Sequence, residues 1–209
     1  MMKLTNLFAL CMVMIIVSML GFWVENIWLA MTKGYMDNRN MCFPFLIGYG
    51  IAMLLILLII GTPKKMWILG KTLWIQNKML RILVYFLAVM LCICVGEVLL
   101  GTFVEKVRHF CWWDYSRLPL HITQYTSIPT SMMFASMVTL FMQHCLEPLF
   151  HFFVKWDYDV LRTVTIVLMG IMIGDFLYNA HLMYKTRGMV RRWKVDMSGN
   201  RVYKRLHKK

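Results

Sequence analysis

Three acidic residues lie inside long apolar runs of the sequence. Glu25, Glu97 and Asp175 each have a glycine within a few residues, and Asn179 follows one helical turn after Asp175. A charged group at the centre of a bilayer costs about 2.5–3.5 kcal/mol on insertion scales, so such groups usually face the interior of a helix bundle. Small neighbouring residues let helices approach closely. The pattern predicts a polar centre between helices that binds a cation, a proton or a polar solute.

The same four residues also admit a structural interpretation. Hydrogen bonds between helices would satisfy Glu97, Asp175 and Asn179 as well as a ligand would, with the carboxyl groups protonated or paired. Glu25 lies towards the end of its run, where the headgroup region could solvate it. Both interpretations stay open. Substitutions would separate them, because loss of activity without loss of folded protein indicates binding.

A second set of residues follows the third apolar run. Glu105 comes eight residues after Glu97, which places the two acids on neighbouring helix faces and more than two turns apart. Tryptophan and tyrosine then accumulate, as they do where a chain leaves the bilayer. The alternative to such a belt is an aromatic wall with one carboxylate, which closes over a cationic or sugar-like ligand. The candidates for this interface-side gate are Glu105, Trp112, Trp113, Asp114 and Tyr115.

Metal and cofactor chemistry has weaker support. His144 and His151 are seven residues apart on the fourth apolar run and fall close to one helix face, so they could ligate haem or a metal ion. The six cysteines contain no CxxC pair, and the 21 methionines are typical of apolar filling. We therefore expect no metal and no cofactor.

Catalytic motifs are missing from the sequence. It contains no G-x-x-x-x-G-K-[ST] phosphate loop, no H-E-x-x-H and no G-x-S-x-G. We expect a protein that is not an enzyme and that does not bind ATP through a phosphate loop.

Composition indicates a membrane protein. Hydrophobic residues make up 60% of the 209, and 23 Lys and Arg against 10 Asp and Glu give a net charge of +13. Basic residues hold the cytoplasmic ends of membrane proteins against anionic headgroups, which explains the charge better than binding to nucleic acid does. The lipid bilayer is the expected partner, and a homo-oligomer is plausible because five helices enclose little volume.

The apolar runs predict an all-α, polytopic transmembrane bundle of about five spanning helices within residues 1–184, since a span needs about 20 apolar residues. A basic C-terminal tail, residues 185–209, follows. Its ten Lys and Arg favour a cytoplasmic C-terminus, whereas the basic segment 64–81 favours the opposite orientation. That segment is interpreted as a short interfacial helix or a plain loop. No internal repeat is expected. The predicted spans are 7–31, 43–60, 82–104, 131–153 and 160–183.

One family resembles the chain across roughly residues 15–180. Glu97, then Glu105-Lys106, then the block 112–116 (WWDYS) is similar to the signature of the putative ABC-transporter type IV (CmpB-like) bacterial membrane proteins. Gly21, Trp23 and Glu25 resemble the first helix of that family, and Asn38-Arg39 with Pro44 and Gly48-Tyr49-Gly50 resembles the entry to its second helix. Segments 38–50 and 120–125 depart from the family pattern.

The resemblance implies a permease-like component in the bacterial cytoplasmic membrane that moves a small solute. It also implies a separate ATPase subunit, although no clear coupling loop for one is evident. A non-transporting accessory or sensor protein with structural carboxylates is the alternative from another class. A membrane-bound enzyme or redox carrier that uses His144 and His151 is the third.

Overall fold

The protein is predominantly helical. The structure, a computed structural model, describes residues 2–68, 71–108, 111 and 113–197. The expected all-α class is confirmed, with three small antiparallel sheets added. The described helices are α1 (Met2–Lys33), α2 (Ile47–Ile59), α3 (Lys78–Arg108), α4 (Ile128–His144), α5 (Leu146–Val154) and α6 (Tyr158–Thr186).

Each helix lies in or around one of the predicted apolar runs. Leu4–Lys33, Lys78–Val107 and Tyr158–Thr186 are long and apolar enough to cross a membrane. The pair α4 and α5 makes a fourth span if its two helices, bent by 46°, count as one. The predicted span 43–60 contains the 13-residue α2, which is shorter than a typical span. The described residues thus support three or four spans, and the predicted count of about five is not confirmed.

The break between α4 and α5 has a local cause. Proline has no backbone N–H, and its ring collides with the carbonyl four residues earlier. Pro148 therefore cannot continue the hydrogen-bond pattern back to His144, the last residue of α4. The helix bends by 46° at Cys145 and resumes as α5.

Within the described residues, short strands form three small antiparallel sheets. Strands β2 (Gly61–Thr62), β3 (Lys65–Ile68) and β4 (Lys71–Leu73) pair in that order, all antiparallel. The prediction of a short interfacial helix or a plain loop in segment 64–81 was therefore wrong. Gly61 adopts a φ of +84° that ends the helical path, and its carbonyl accepts a hydrogen bond from the Tyr85 hydroxyl at 3.0 Å. The other described strands are β1 (Tyr35–Asp37), β5 (His121–Thr123), β6 (Thr126–Ser127) and β7 (Lys194–Asp196).

The chain divides into two compact units. The first unit combines the described residues of Met1–Ala52 and Phe150–Lys209, and the second is formed by Met53–Leu149. In the first unit α1 packs against α6, and in the second unit α3 packs against α4.

Part of the predicted basic tail belongs to the folded first unit. β7 pairs antiparallel with β1, with Tyr35 opposite Asp196 and Asp37 opposite Lys194. The tail also begins later than predicted, since α6 continues to Thr186. Residues 198–209 of the tail lie outside the described residues.

Candidate functional site

Glu25 is held by two partners within the first unit. It projects from α1 and accepts a hydrogen bond from Arg39 Nε at 2.6 Å, and a second guanidinium nitrogen of Arg39 closes the ion pair. The Tyr49 hydroxyl donates to the other carboxylate oxygen at 3.0 Å. Burial alone would lower the pKa of Arg39, but the carboxylates of Glu25 and Asp37 raise it above its ordinary value. Glu25 is thus held by an internal ion pair and not by solvation among the headgroups, the alternative considered from the sequence.

Asp175 fastens the segment that links β1 to α2. Its carboxylate accepts the backbone N–H of Cys42 at 2.9 Å and that of Phe43 at 3.1 Å. Asn179, one turn later on α6, donates from Nδ2 to Asp175 at 2.6 Å and accepts from Arg192 at 2.6 Å. Both Asp175 and Asn179 are buried. These two predicted site residues therefore act together, as a pair that binds a loop and the C-terminal segment.

The turn after β1 supplies most of these partners. Arg39 and Asn40 adopt positive φ angles of 46° and 66°. Residues other than glycine rarely do so, although asparagine does so more often than most. Asn38 donates to the carbonyl of Val190 at 3.0 Å, and Asn40 accepts from the N–H of Val190 at 2.9 Å. The side-chain amides therefore join the turn to the segment that precedes β7.

Glu97 occupies a different environment in the second unit. It projects from the middle of α3, and the hydroxyl of Ser131 near the start of α4 donates to it at 3.3 Å. Ser131 in turn is 3.0 Å from the hydroxyl of Thr126. Ser127 caps α4 and contacts the hydroxyl of Thr130 at 2.8 Å. Within the part of the chain that the structure describes, Glu97 makes no ion pair, and neutral hydroxyls surround it.

Glu105 lies two turns further along α3 and binds the β5–β6 hairpin. The Tyr125 hydroxyl donates to its carboxylate, and Gln124 Nε2 donates to the same oxygen at 3.1 Å. The hydrogen bond to Glu105 raises the pKa of Tyr125, because the carboxylate favours the protonated phenol, and burial acts in the same direction. Gly101 lies beneath the Tyr125 ring, where a larger residue would collide.

The gate candidates also gather at this hairpin. Trp113 Nε1 donates to the carbonyl of Tyr125 at 2.9 Å, and the N–H of Tyr115 donates to the carbonyl of Gln124 at 2.8 Å. Asp114 is exposed and accepts the N–H of Ser116 at 2.8 Å. Hydrogen bonds from Ser116 hold the pKa of Asp114 below its ordinary range. Trp112, the remaining gate candidate, lies outside the described residues.

The predicted polar centre is thus divided between the two units. Glu25, Asp175 and Asn179 belong to the first unit and Glu97 to the second, and each has partners within its own unit. The glycines near these acids differ as well. Gly21 packs against Tyr49, whereas Gly174 has no other group within contact distance of an added methyl group.

The two histidines do not share one helix face as expected. His144 ends α4, whereas His151 lies on α5 beyond the 46° bend. Within the described residues no group of three or more His, Cys, Asp or Glu side chains is arranged to hold a metal ion.

Sequence reasoning missed most of the partners of the acidic residues. Arg192, Tyr125 and Thr126 lie outside the apolar runs in which polar residues stand out, and Ser131 is the first residue of such a run. The four-residue spacing of Gly21 and Glu25 could have indicated a shared partner, because residues one turn apart lie on the same helix face.

Comparison with known proteins bears on the whole chain. A family model described as putative ABC-transporter type IV matches residues 12–180, which confirms the resemblance found in the sequence. No curated protein and no solved structure gives a significant match.

Proposed function

Since the chain belongs to the putative ABC-transporter type IV family, we propose that it is a membrane-embedded, permease-like transport component. In this proposal it binds a monovalent cation, or the cationic group of a small solute, at Glu97. The family description supports a role related to transport. We place the protein in the bacterial cytoplasmic membrane as a multi-pass protein, with the fifth crossing made by the segment around α2.

The observation that supports this site is the environment of Glu97. A carboxylate in the middle of an apolar helix is costly unless it is paired, protonated or bound to a ligand. Its described partners are the hydroxyl of Ser131 and, through it, that of Thr126. Hydroxyl and carboxylate oxygens are suitable ligands for hard cations and for ammonium groups. The pair therefore offers a cation one negative charge and several neutral oxygens.

Glu25 and Asp175 receive a different role in this account. Arg39 neutralises Glu25, and two backbone N–H groups occupy Asp175. We propose that these two acids fix the turn after β1, so that Glu97 alone of the three remains for a ligand.

Energy would come from another subunit. The sequence has no phosphate loop, so we propose a separate ATPase that couples to this chain, as the family description suggests.

Carbodiimide labelling tests the site without knowledge of the solute. Carbodiimides modify protonated carboxyl groups in apolar surroundings, and a bound cation keeps the carboxylate ionised. The purified protein is treated with dicyclohexylcarbodiimide in sodium, potassium or methylammonium chloride, with N-methylglucamine chloride at equal ionic strength as the reference. Mass spectrometry of the α3 peptide measures the product.

We expect modification of Glu97 in the reference salt and suppression by at least one of the three test cations. The variant E97Q should lose the product, and E147Q is the matched control, because Glu147 is an exposed carboxylate paired with Lys64. Labelling of Glu97 that no test cation reduces would contradict the proposal.

A non-transporting accessory or sensor protein is the second candidate. The full engagement of Asp175 and Glu25 by internal partners favours it, since both acids then serve structure alone. Suppression of Glu97 labelling by a cation would favour the transport component over this candidate.

A further inference from the structure

A short pattern occurs once in each unit. Gly21–Glu25 reads GFWVE on α1, and Gly101–Glu105 reads GTFVE on α3. In both, glycine, an aromatic residue, valine and glutamate occupy equal positions.

The two patterns make the same contacts. The Tyr49 ring covers Gly21 and its hydroxyl donates to Glu25, four residues after the glycine. The Tyr125 ring covers Gly101 and its hydroxyl donates to Glu105, again four residues after the glycine. We call each set of glycine, tyrosine and glutamate a clasp.

The turns that follow the two helices repeat as well. Asp37 accepts the N–H of Arg39 at 2.8 Å, and Asp114 accepts the N–H of Ser116 at 2.8 Å. Each is an Asx turn, in which a side-chain oxygen binds the backbone two residues later. The acidic residue of each turn therefore provides a common reference point for the residues around it.

The next hydrogen bond of each turn also coincides. The N–H of Met41 donates to the carbonyl of Asn38 at 2.8 Å, and that of Leu118 donates to the carbonyl of Tyr115 at 2.9 Å. Counted from the aspartates, these are equal positions. The segments 37–41 (DNRNM) and 114–118 (DYSRL) thus form the same turn, with the same hydrogen bonds at the same positions.

Counted from the two aspartates, Ser116 lies at the position that Arg39 has in the first unit. In the first clasp the guanidinium of Arg39 binds the glutamate through Nε at 2.6 Å. In the second clasp the partner in addition to tyrosine is the neutral amide of Gln124 at 3.1 Å from Glu105. Within the described residues Glu105 makes no ion pair. The first unit therefore shows which chemical group this arrangement accepts.

We propose that the second clasp, Gly101, Tyr125 and Glu105, binds a guanidinium or ammonium group of a small solute in the manner in which the first clasp binds Arg39. Glu105 supplies the charge, Tyr125 fixes the orientation of the carboxylate, and Gln124 gives way or adds a neutral contact. The site is separate from Glu97, which lies two turns earlier on α3, and it does not depend on cation binding there.

Thermal unfolding of the purified full chain in detergent tests this site with methylguanidinium chloride as the probe. Sodium chloride at equal ionic strength is the reference. A ligand that binds the folded state alone raises Tm in a saturable manner. We expect such a rise in the wild-type protein and in E97Q, which lacks the proposed cation site, and its loss when E105Q is combined with E97Q.

Two exchanges between the units sharpen the test. S116R introduces the arginine of the first unit into the second, and in the E97Q background we expect it to abolish the response to methylguanidinium without removal of any clasp residue. R39S should lower Tm, and methylguanidinium should then restore part of the loss. If E105Q does not fold, S116R serves in its place.

The proposal is overturned if the wild-type protein shows no saturable rise, or if the rise seen in E97Q persists when E105Q or S116R is added to it. An effect of methylguanidinium in R39S alone would likewise overturn it, because the first clasp would then bind the group and the second would not. Failure of carbodiimide protection at Glu97 together with a saturable rise here would remove the proposed cation site and leave the second clasp.

Discussion

Gly101 is the residue on α3 where the smallest change should have a large effect. A methyl group added there would overlap the ring and the Cβ atom of Tyr125, which cannot move without the hairpin. Overpacking of this kind costs about 1–3 kcal/mol. We predict that G101A lowers the free energy of unfolding in detergent by that amount.

Gly96 on the same helix is the matched control for this prediction. An added methyl group there has no neighbour within contact distance, and alanine favours helix over glycine. G96A should leave stability unchanged or slightly raised. Equal effects of the two variants would show that the Tyr125 ring does not pack on Gly101.

The raised pKa of Tyr125 should make the stability of the protein depend on pH in the alkaline range. Its folded-state pKa is raised by the hydrogen bond to Glu105, whereas in the unfolded chain the pKa is near the ordinary value of about 10. Its contribution is therefore complete below that value and is lost as the pH rises through the raised folded-state pKa. The difference in Tm between wild-type protein and Y125F should shrink above about pH 10. A constant difference from pH 8 to 11 would contradict the hydrogen bond.

At this scale the sequence identified the acids but not their partners. A carboxylate in an apolar run is visible without a structure, as Glu25, Glu97 and Asp175 show. One partner of Asn38 is the carbonyl of Val190, 152 residues away in the sequence, and local spacing cannot reveal such a pair. Local spacing also could not show that the three acids predicted to form one polar centre lie in different units.

The C-terminal segment is the element whose role the structure changes most. Sequence charge alone described it as a tail on a membrane surface, yet β7 pairs with β1 and Arg192 reaches the buried Asn179. A truncation after Arg187 would remove these contacts, leaving Asn40 without its described partner and Asn38 with the carbonyl of Met41 alone. An unsatisfied buried polar group costs about 1–3 kcal/mol. We predict a marked loss of stability of the first unit, seen as faster proteolysis of the turn after β1.

A truncation after Met197 is the matched control. It retains β7 and every described contact of the segment, so proteolysis of the turn should proceed at the wild-type rate. Equal rates for both truncations would show that the segment does not stabilise the turn.

Helices were more predictable than strands at the element scale. Long apolar runs determine where α1, α3 and α6 lie, because each run is long enough to form a helix by itself. Strand β3 depends on the positive φ of Gly61, and Gly61 in turn contacts Tyr85, 24 residues away. The pattern of lysines between apolar patches reveals neither the φ of Gly61 nor its contact with Tyr85.

At the scale of the whole molecule, the chain divides into two compact units, each with one clasp of different chemistry. The first unit neutralises its clasp with Arg39, whereas the second has Ser116 at the corresponding position and a hydroxyl-lined carboxylate at Glu97. The family match and the apolar helices support a membrane protein with a role related to transport. Both proposed binding sites, at Glu97 and at the second clasp, belong to the second unit.

The most direct test of the transport account is purification of the tagged full chain from its native membranes, with every co-purifying protein identified and quantified. We predict an ATPase in stoichiometric amount, because the chain has no phosphate loop of its own and belongs to a family described as ABC transporters. A preparation that contains this chain alone, as a monomer or homo-oligomer, would contradict the account.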